Sequence, residues 1–106
     1  MTDGFVRAGL AADSIAVGAF KQVVVQGKPL LICHCAEGFY AIDNTCTHDD
    51  GPLEDGWLDG CAIECPRHGA RFDARTGAVL ALPAAVPIRS YPVKVEGDEV
   101  AVKIEA

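Results

Sequence analysis

A chain of 106 residues, half of them hydrophobic and with a formal net charge of -6, is the size of one domain and can bury about 65% of its extended surface. No apolar run approaches the roughly 20 residues needed to span a bilayer, and no charged-then-apolar leader precedes residue 20, so a soluble, unexported protein is expected. The acidic balance argues against nucleic acid or anionic lipid as partner and favours a basic protein surface. Five cysteines, an odd number, cannot form a fully paired disulfide framework and fit a reducing cytoplasm best.

Along the chain, short apolar runs alternate with turn residues and no long helical period develops. A short helix is expected near Leu10 to Ser14. Val23-Val24-Val25 and Leu30-Leu31-Ile32 flank Gln26-Gly27-Lys28-Pro29 as a hairpin, and Phe39-Tyr40-Ala41-Ile42 continues the meander after Glu37-Gly38. From about Asp43 to Val86 the periodicity lapses into loop-like sequence, broken by Cys61-Ala62-Ile63-Glu64 and Arg71-Phe72-Asp73. Val93 and Val95 then alternate with Lys94 and Glu96, Gly97-Asp98 turns the chain, and Val100, Val102 and Ile104 alternate outward from it. The fold class expected is all-β: a basal sheet of antiparallel strands over about 1–42 and 87–106, with an inserted region over about 43–86, in one domain covering 1–106.

That inserted region carries the chemistry. Cys46-Thr47-His48 and, after a gap of sixteen residues, Cys65-Pro66-Arg67-His68-Gly69 each offer one thiolate and one imidazole in the same order. Two cysteines and two histidines are a legitimate tetrahedral zinc set, but zinc spacing commonly groups cysteine with cysteine and histidine with histidine. Here each loop mixes the two types, as a two-loop clamp on a two-iron cluster requires. The pair of motifs resembles the Rieske family, in which two cysteines hold one iron of a 2Fe-2S cluster and two histidines the other. The resemblance assigns Cys46, His48, Cys65 and His68 as cofactor-binding metal ligands of one 2Fe-2S cluster per chain. It also implies a Rieske-like fold of three stacked antiparallel sheets, with the cluster at one tip.

Within that family the sequence departs from the high-potential respiratory branch. Gly51 and Arg67 stand where that branch has a pair of disulfide-linked cysteines, Ala70 where it has a serine and Phe72 where it has a tyrosine. Neither Ala70 nor Phe72 can donate a side-chain hydrogen bond to cluster sulfur, and such bonds raise the potential; a low-potential centre, near or below about -150 mV, is expected. Gly56-Trp57-Leu58-Asp59-Gly60, Arg71 to Gly77, Ala81-Leu82-Pro83 and Tyr91 to Asp98 are similar to ferredoxin components of bacterial ring-hydroxylating dioxygenases. The resemblance implies an electron carrier between a flavin-containing reductase and a terminal oxygenase. A small subunit of a nitrite-reductase-like or other redox complex is the alternative, and a zinc-stabilised protein-binding β-module a further one. A terminal oxygenase needs a second iron on two histidines and a carboxylate; with three histidines in all, only His34 remains after the cluster is served, so the chain is expected to be no enzyme by itself.

Other residues invite weaker readings. Cys33-His34-Cys35 cannot converge on one ion if the segment is extended, because Cys33 and Cys35 then face one side and His34 the other; they are expected to fill core or surface. Cys61 is expected to be a small buried apolar group. Asp49, Asp50, Glu54 and Asp55 form either an acidic docking rim around the cluster or an ordinary solvated loop, with Arg67 and Arg71 adding positive charge nearby. By the family resemblance, Ala84-Ala85-Val86 between Pro83 and Pro87 covers one side of the cluster and Gly51-Pro52-Leu53 another.

Overall fold

Turn chemistry sets the pairing of the strands. A computed structural model of the chain describes residues 4–45, 51, 53–66, 69–81 and 86–104. Gln26 and Gly27 both take positive φ, 50° and 81°, which gives a two-residue turn whose twist matches that of the strands it joins. Val25 accordingly pairs with Lys28, so the hairpin is tighter than the four-residue turn expected, and Lys28 and Pro29 belong to the strand. The middle sheet is built from β2 (Phe20–Val25), β3 (Lys28–Cys35), β4 (Gly38–Asp43) and β9 (Ser90–Tyr91), in the order β2-β3-β4-β9. Cys35 opposite Gly38 closes the second hairpin of the meander.

An outer sheet has the order β1-β11-β10, from β1 (Phe5–Ala11), β10 (Val93–Glu96) and β11 (Glu99–Lys103). Its hairpin pairs Glu96 with Glu99 across Gly97-Asp98, as the alternation of valines predicts. The expected helix at Leu10 to Ser14 is a correction: Leu10 and Ala11 lie in β1, and only Ala12–Ser14 form a 3-10 turn. Pairing with β11 through Val6 and Val102 wins over local helix propensity. The third sheet, β5-β6-β7-β8, is a meander of three-residue strands: β5 (Trp57–Asp59), β6 (Ala62–Glu64), β7 (Arg71–Asp73) and β8 (Val79–Ala81).

All ladders are antiparallel, and the sheets stack because the middle one is apolar on both faces. On β3, Leu30 and Ile32 enter an upper core with Val100, Val102 and Tyr91, whereas Leu31, Cys33 and Cys35 enter a lower core with Ile63, Phe72 and Ile88. Each fully buried side chain of this size contributes roughly 1.5–3 kcal/mol, against about 0–1 kcal/mol for a surface ion pair. Burial on the two faces of β3, rather than surface charge, therefore holds the three layers together. No helix among the described residues is long and apolar enough to cross a membrane.

Candidate metal centre

β6 and β7 form the hairpin that presents the second motif. Ile63 pairs with Phe72 and Glu64 with Arg71, and beyond them the Cys65 N–H donates to the Ala70 carbonyl at 2.8 Å while the Gly69 N–H donates to the Cys65 carbonyl at 3.0 Å. Cys65, Ala70 and Phe72 are fully buried in the lower core, and Cys65 is a free thiol. His68 and Arg67 of the same motif lie outside the described residues, as do Cys46, His48, Asp49 and Asp50. Arg71 is not a loose charge: its guanidinium donates to Asp59 at 3.0 Å and lies 3.6 Å from Glu64.

The first motif leaves β4 just after Asp43, and the ends of its segment are held together. Asn44 donates its backbone N–H to the Pro29 carbonyl at 3.0 Å. Its side-chain Oδ1 accepts from the N–H of Leu53 at 2.9 Å and of Glu54 at 3.0 Å, and its Nδ2 donates to Glu54 Oε1 at 2.6 Å. Leu53 is fully buried in the same core as Cys65, so it anchors the C-terminal end of this segment. Glu54 points its carboxylate at Asn44 and so is no free member of an acidic rim, while Asp55 is exposed.

A third segment returns between β8 and β9. The Ile88 N–H donates to the Gly77 carbonyl at 2.9 Å, and the Asp43 N–H to the Arg89 carbonyl at 3.0 Å. Gly77 has φ 82° and a Cβ there would overlap the Ile88 carbonyl oxygen, so the approach of this segment depends on glycine. The Tyr91 hydroxyl donates to Asp43 Oδ1 at 2.6 Å; burial and then this carboxylate push its pKa up to about 12. The covering residues expected at Pro83, Ala84 and Ala85 lie outside the described residues, whereas Val86 and Pro87 are exposed.

The remaining cysteines depart from expectation in one respect. Cys33 and Cys35 do share one face of β3, inside the lower core, and His34 takes the other face, stacked on Phe39 with Nδ1 2.6 Å from the Ile15 carbonyl oxygen. Cys61, however, is no mere apolar filler: it forms a disulfide with Cys35, with a Cα–Cα distance of 5.4 Å. The pairing joins the β3–β4 turn to the β5–β6 turn, where Arg75 also meets Glu37 at 3.4 Å. Burial pushes the free Cys33 thiol up to about 12.

Three stacked antiparallel sheets thus frame a fully buried free thiol just after β6, a soft donor of the kind that iron-sulfur clusters take. The sequence matches the Rieske [2Fe-2S] domain model over residues 8–92. It is 45% identical over 95 residues to the ferredoxin component of biphenyl 2,3-dioxygenase from Rhodococcus jostii (strain RHA1), covering 90% of this chain and 89% of that one. The fold superposes on the ferredoxin of carbazole 1,9a-dioxygenase from Nocardioides aromaticivorans IC177 with a TM-score of 0.90 and 35% identity, over 97% of this chain and 100% of that one. A second solved structure, a complex of reduced oxygenase and oxidized ferredoxin in carbazole 1,9a-dioxygenase, contains a chain matched with a TM-score of 0.87 and 35% identity, over 96% of this chain and 94% of that one. The chain belongs to the Rieske [2Fe-2S] family, and its cofactor is one 2Fe-2S cluster rather than zinc. The donor chemistry fits that group: Cys65 is left unpaired while Cys35 and Cys61 pair, and thiolate is the soft ligand that iron-sulfur clusters require.

Proposed function

We propose that this protein is a low-potential one-electron carrier, taking an electron from a flavin-containing reductase and passing it to a terminal oxygenase of the aromatic-ring-hydroxylating type. It is a component of such a system and not catalytic by itself. The observation that carries the reading is the free, fully buried Cys65, which shares the lower core with Leu53 at the base of the segment bearing Cys46 and His48. The ligand set proposed is Cys46 and Cys65 on one iron, with His48 and His68 on the other. When bound, such a cluster supplies a one-electron site with a potential above that of all-cysteine clusters.

The chain's own residues set where in the Rieske range it falls. Leu53, Ala70, Phe72 and Ile88 wall the lower core with hydrocarbon, which excludes water, and the side chains at 70 and 72 offer no donor to sulfur. A potential near or below about -150 mV follows. Support for a single domain over 1–106 comes from the sheet orders: the outer and middle sheets make the basal part, about 1–42 and 87–106, and the third sheet lies within the proposed cluster-binding part, about 43–86. The cytoplasm is the proposed compartment, supported by the free thiols Cys33 and Cys65 and opposed by the Cys35–Cys61 disulfide. The proposed partners are proteins, neither nucleic acid nor membrane, in keeping with the net charge of -6.

Iron and sulfide analysis of the purified protein is the test, with about two of each expected per chain. Dithionite reduction should give a paramagnetic spectrum of lower mean g than plant-type centres. Redox titration should place the midpoint near or below about -150 mV; one above about +100 mV contradicts the account of the wall. Cys65→Ala should not assemble a cluster, and a normal cluster in that variant would sink the ligand assignment.

A further inference from the structure

Asn44 is the one buried residue of polar or charged type among the described residues, 7% exposed. Burying an amide is unfavourable unless its groups find partners, so its bonds identify what it is for. They do not serve a regular ladder. Oδ1 takes the backbone N–H groups of Leu53 and Glu54 together, Nδ2 reaches the Glu54 carboxylate, and the backbone N–H ties the residue to Pro29 at the start of β3. The amide orientation is determined by chemistry, since only an oxygen can accept from two backbone N–H groups.

The consequence is a clamp. Residue 44 and residues 53–54 are locked across the eight residues 45–52, and the clamp is itself fixed to β3 and, through Leu53, to the lower core. Closing a loop costs entropy that is otherwise charged to whatever the loop binds. With the base closed in advance, Cys46 and His48 lie two and four residues from a fixed point, and less ordering remains for cluster binding. We infer that Asn44 is a positioning residue for the cluster, acting with Glu54 to preorganise the first ligand segment. The inference rests on the ligand assignment proposed above.

The test uses holoprotein, with the cluster's visible absorption followed under a ferrous chelator and the urea midpoint measured alongside. Asn44→Ala should lose its cluster on the order of tenfold faster than the unsubstituted protein. Asn44→Asp keeps the acceptor for both backbone N–H groups but sets a second carboxylate against Glu54, so it too should lose the cluster faster. Adding Glu54→Gln to Asn44→Asp restores a donor facing an acceptor and should return the rate close to the original, even if Asn44→Ala proves unable to fold. Val100→Ala, in the upper core, lowers general stability without touching the clamp and should leave the rate unchanged.

Unaltered cluster loss in Asn44→Ala, no rescue in the double variant, or equal acceleration by Val100→Ala each overturns the inference. If the unsubstituted protein meanwhile holds its Rieske cluster, the ligand assignment stands and only the role of Asn44 falls. Protein isolated without a cluster overturns both.

Discussion

Two buried side chains hold protons far more tightly than they would in water. Burial alone lifts Cys33 from its ordinary 9.0 to about 12, and burial followed by the Asp43 carboxylate lifts Tyr91 from 10.0 to about 12. Both are raised shifts on groups that become anions, so the folded chain keeps protons that the unfolded chain releases. The stability they contribute is fully present below pH 9.0 and is lost as the pH rises towards about 12. Where the unfolded group is ionised and the folded one is not, the loss is roughly 1.4 kcal/mol per pH unit for each. Urea midpoints should therefore fall steeply between about pH 9 and 11, and less steeply in Cys33→Ala and in Tyr91→Phe. A flat midpoint in the unsubstituted protein across that interval would show that these protons are not retained.

At the level of strands and loops, the Cys35–Cys61 disulfide is the covalent tie between the middle and third sheets. Its neighbour contact, Arg75 with Glu37, joins side chains that are 46% and 55% exposed, and pairs so exposed contribute little. The disulfide closes 26 residues of chain, for which loop entropy gives a stabilisation of about 2–4 kcal/mol. Cys61→Ser, or reduction by dithiothreitol, should lower unfolding stability by about that amount. Mass spectrometry after alkylation under denaturing, non-reducing conditions should find Cys35 and Cys61 unlabelled and Cys33 labelled. Labelling of Cys61 in freshly isolated protein would show that the pair exists as dithiol.

This tie also marks the limit of what the sequence discloses. The hairpins at Gln26-Gly27 and Gly97-Asp98 are legible because turn chemistry and two-residue alternation are local signals. β5, β8 and β9 have three, three and two residues, too few to show a period, and β1 is disguised by the helix-forming alanines at its end. The proposed ligand motifs stand out by their spacing because metal chemistry dictates residue types. Cys35 finds Cys61, and Asn44 finds Glu54, only once sheets stack and loops close, and nothing local distinguishes them beforehand.

For the molecule as a whole, the electrostatic question is how an acidic chain meets its electron donor. The formal charge of -6 persists on a surface where several charges are already neutralised in place: Arg71 by Asp59 and Glu64, Arg75 by Asp73 and Glu37, Arg7 by Glu99. Glu54 is turned inward to Asn44, so it adds little to steering, which draws on the summed field and on exposed carboxylates such as Asp55 and Asp98. Such a field accelerates encounter with a basic partner over distances longer than a contact, and salt screens it once the Debye length shrinks below about 10 Å. Reduction of the cluster by the proposed flavin-containing reductase should therefore slow by about tenfold or more between about 0.01 and 0.5 M ionic strength. The effect should lie in the second-order rate, with electron transfer inside the preformed complex nearly unchanged, since contacts already made are screened less. A second-order rate indifferent to salt would mean that docking relies on apolar surface, with the half-exposed Trp57 on edge strand β5 as the first side chain to substitute.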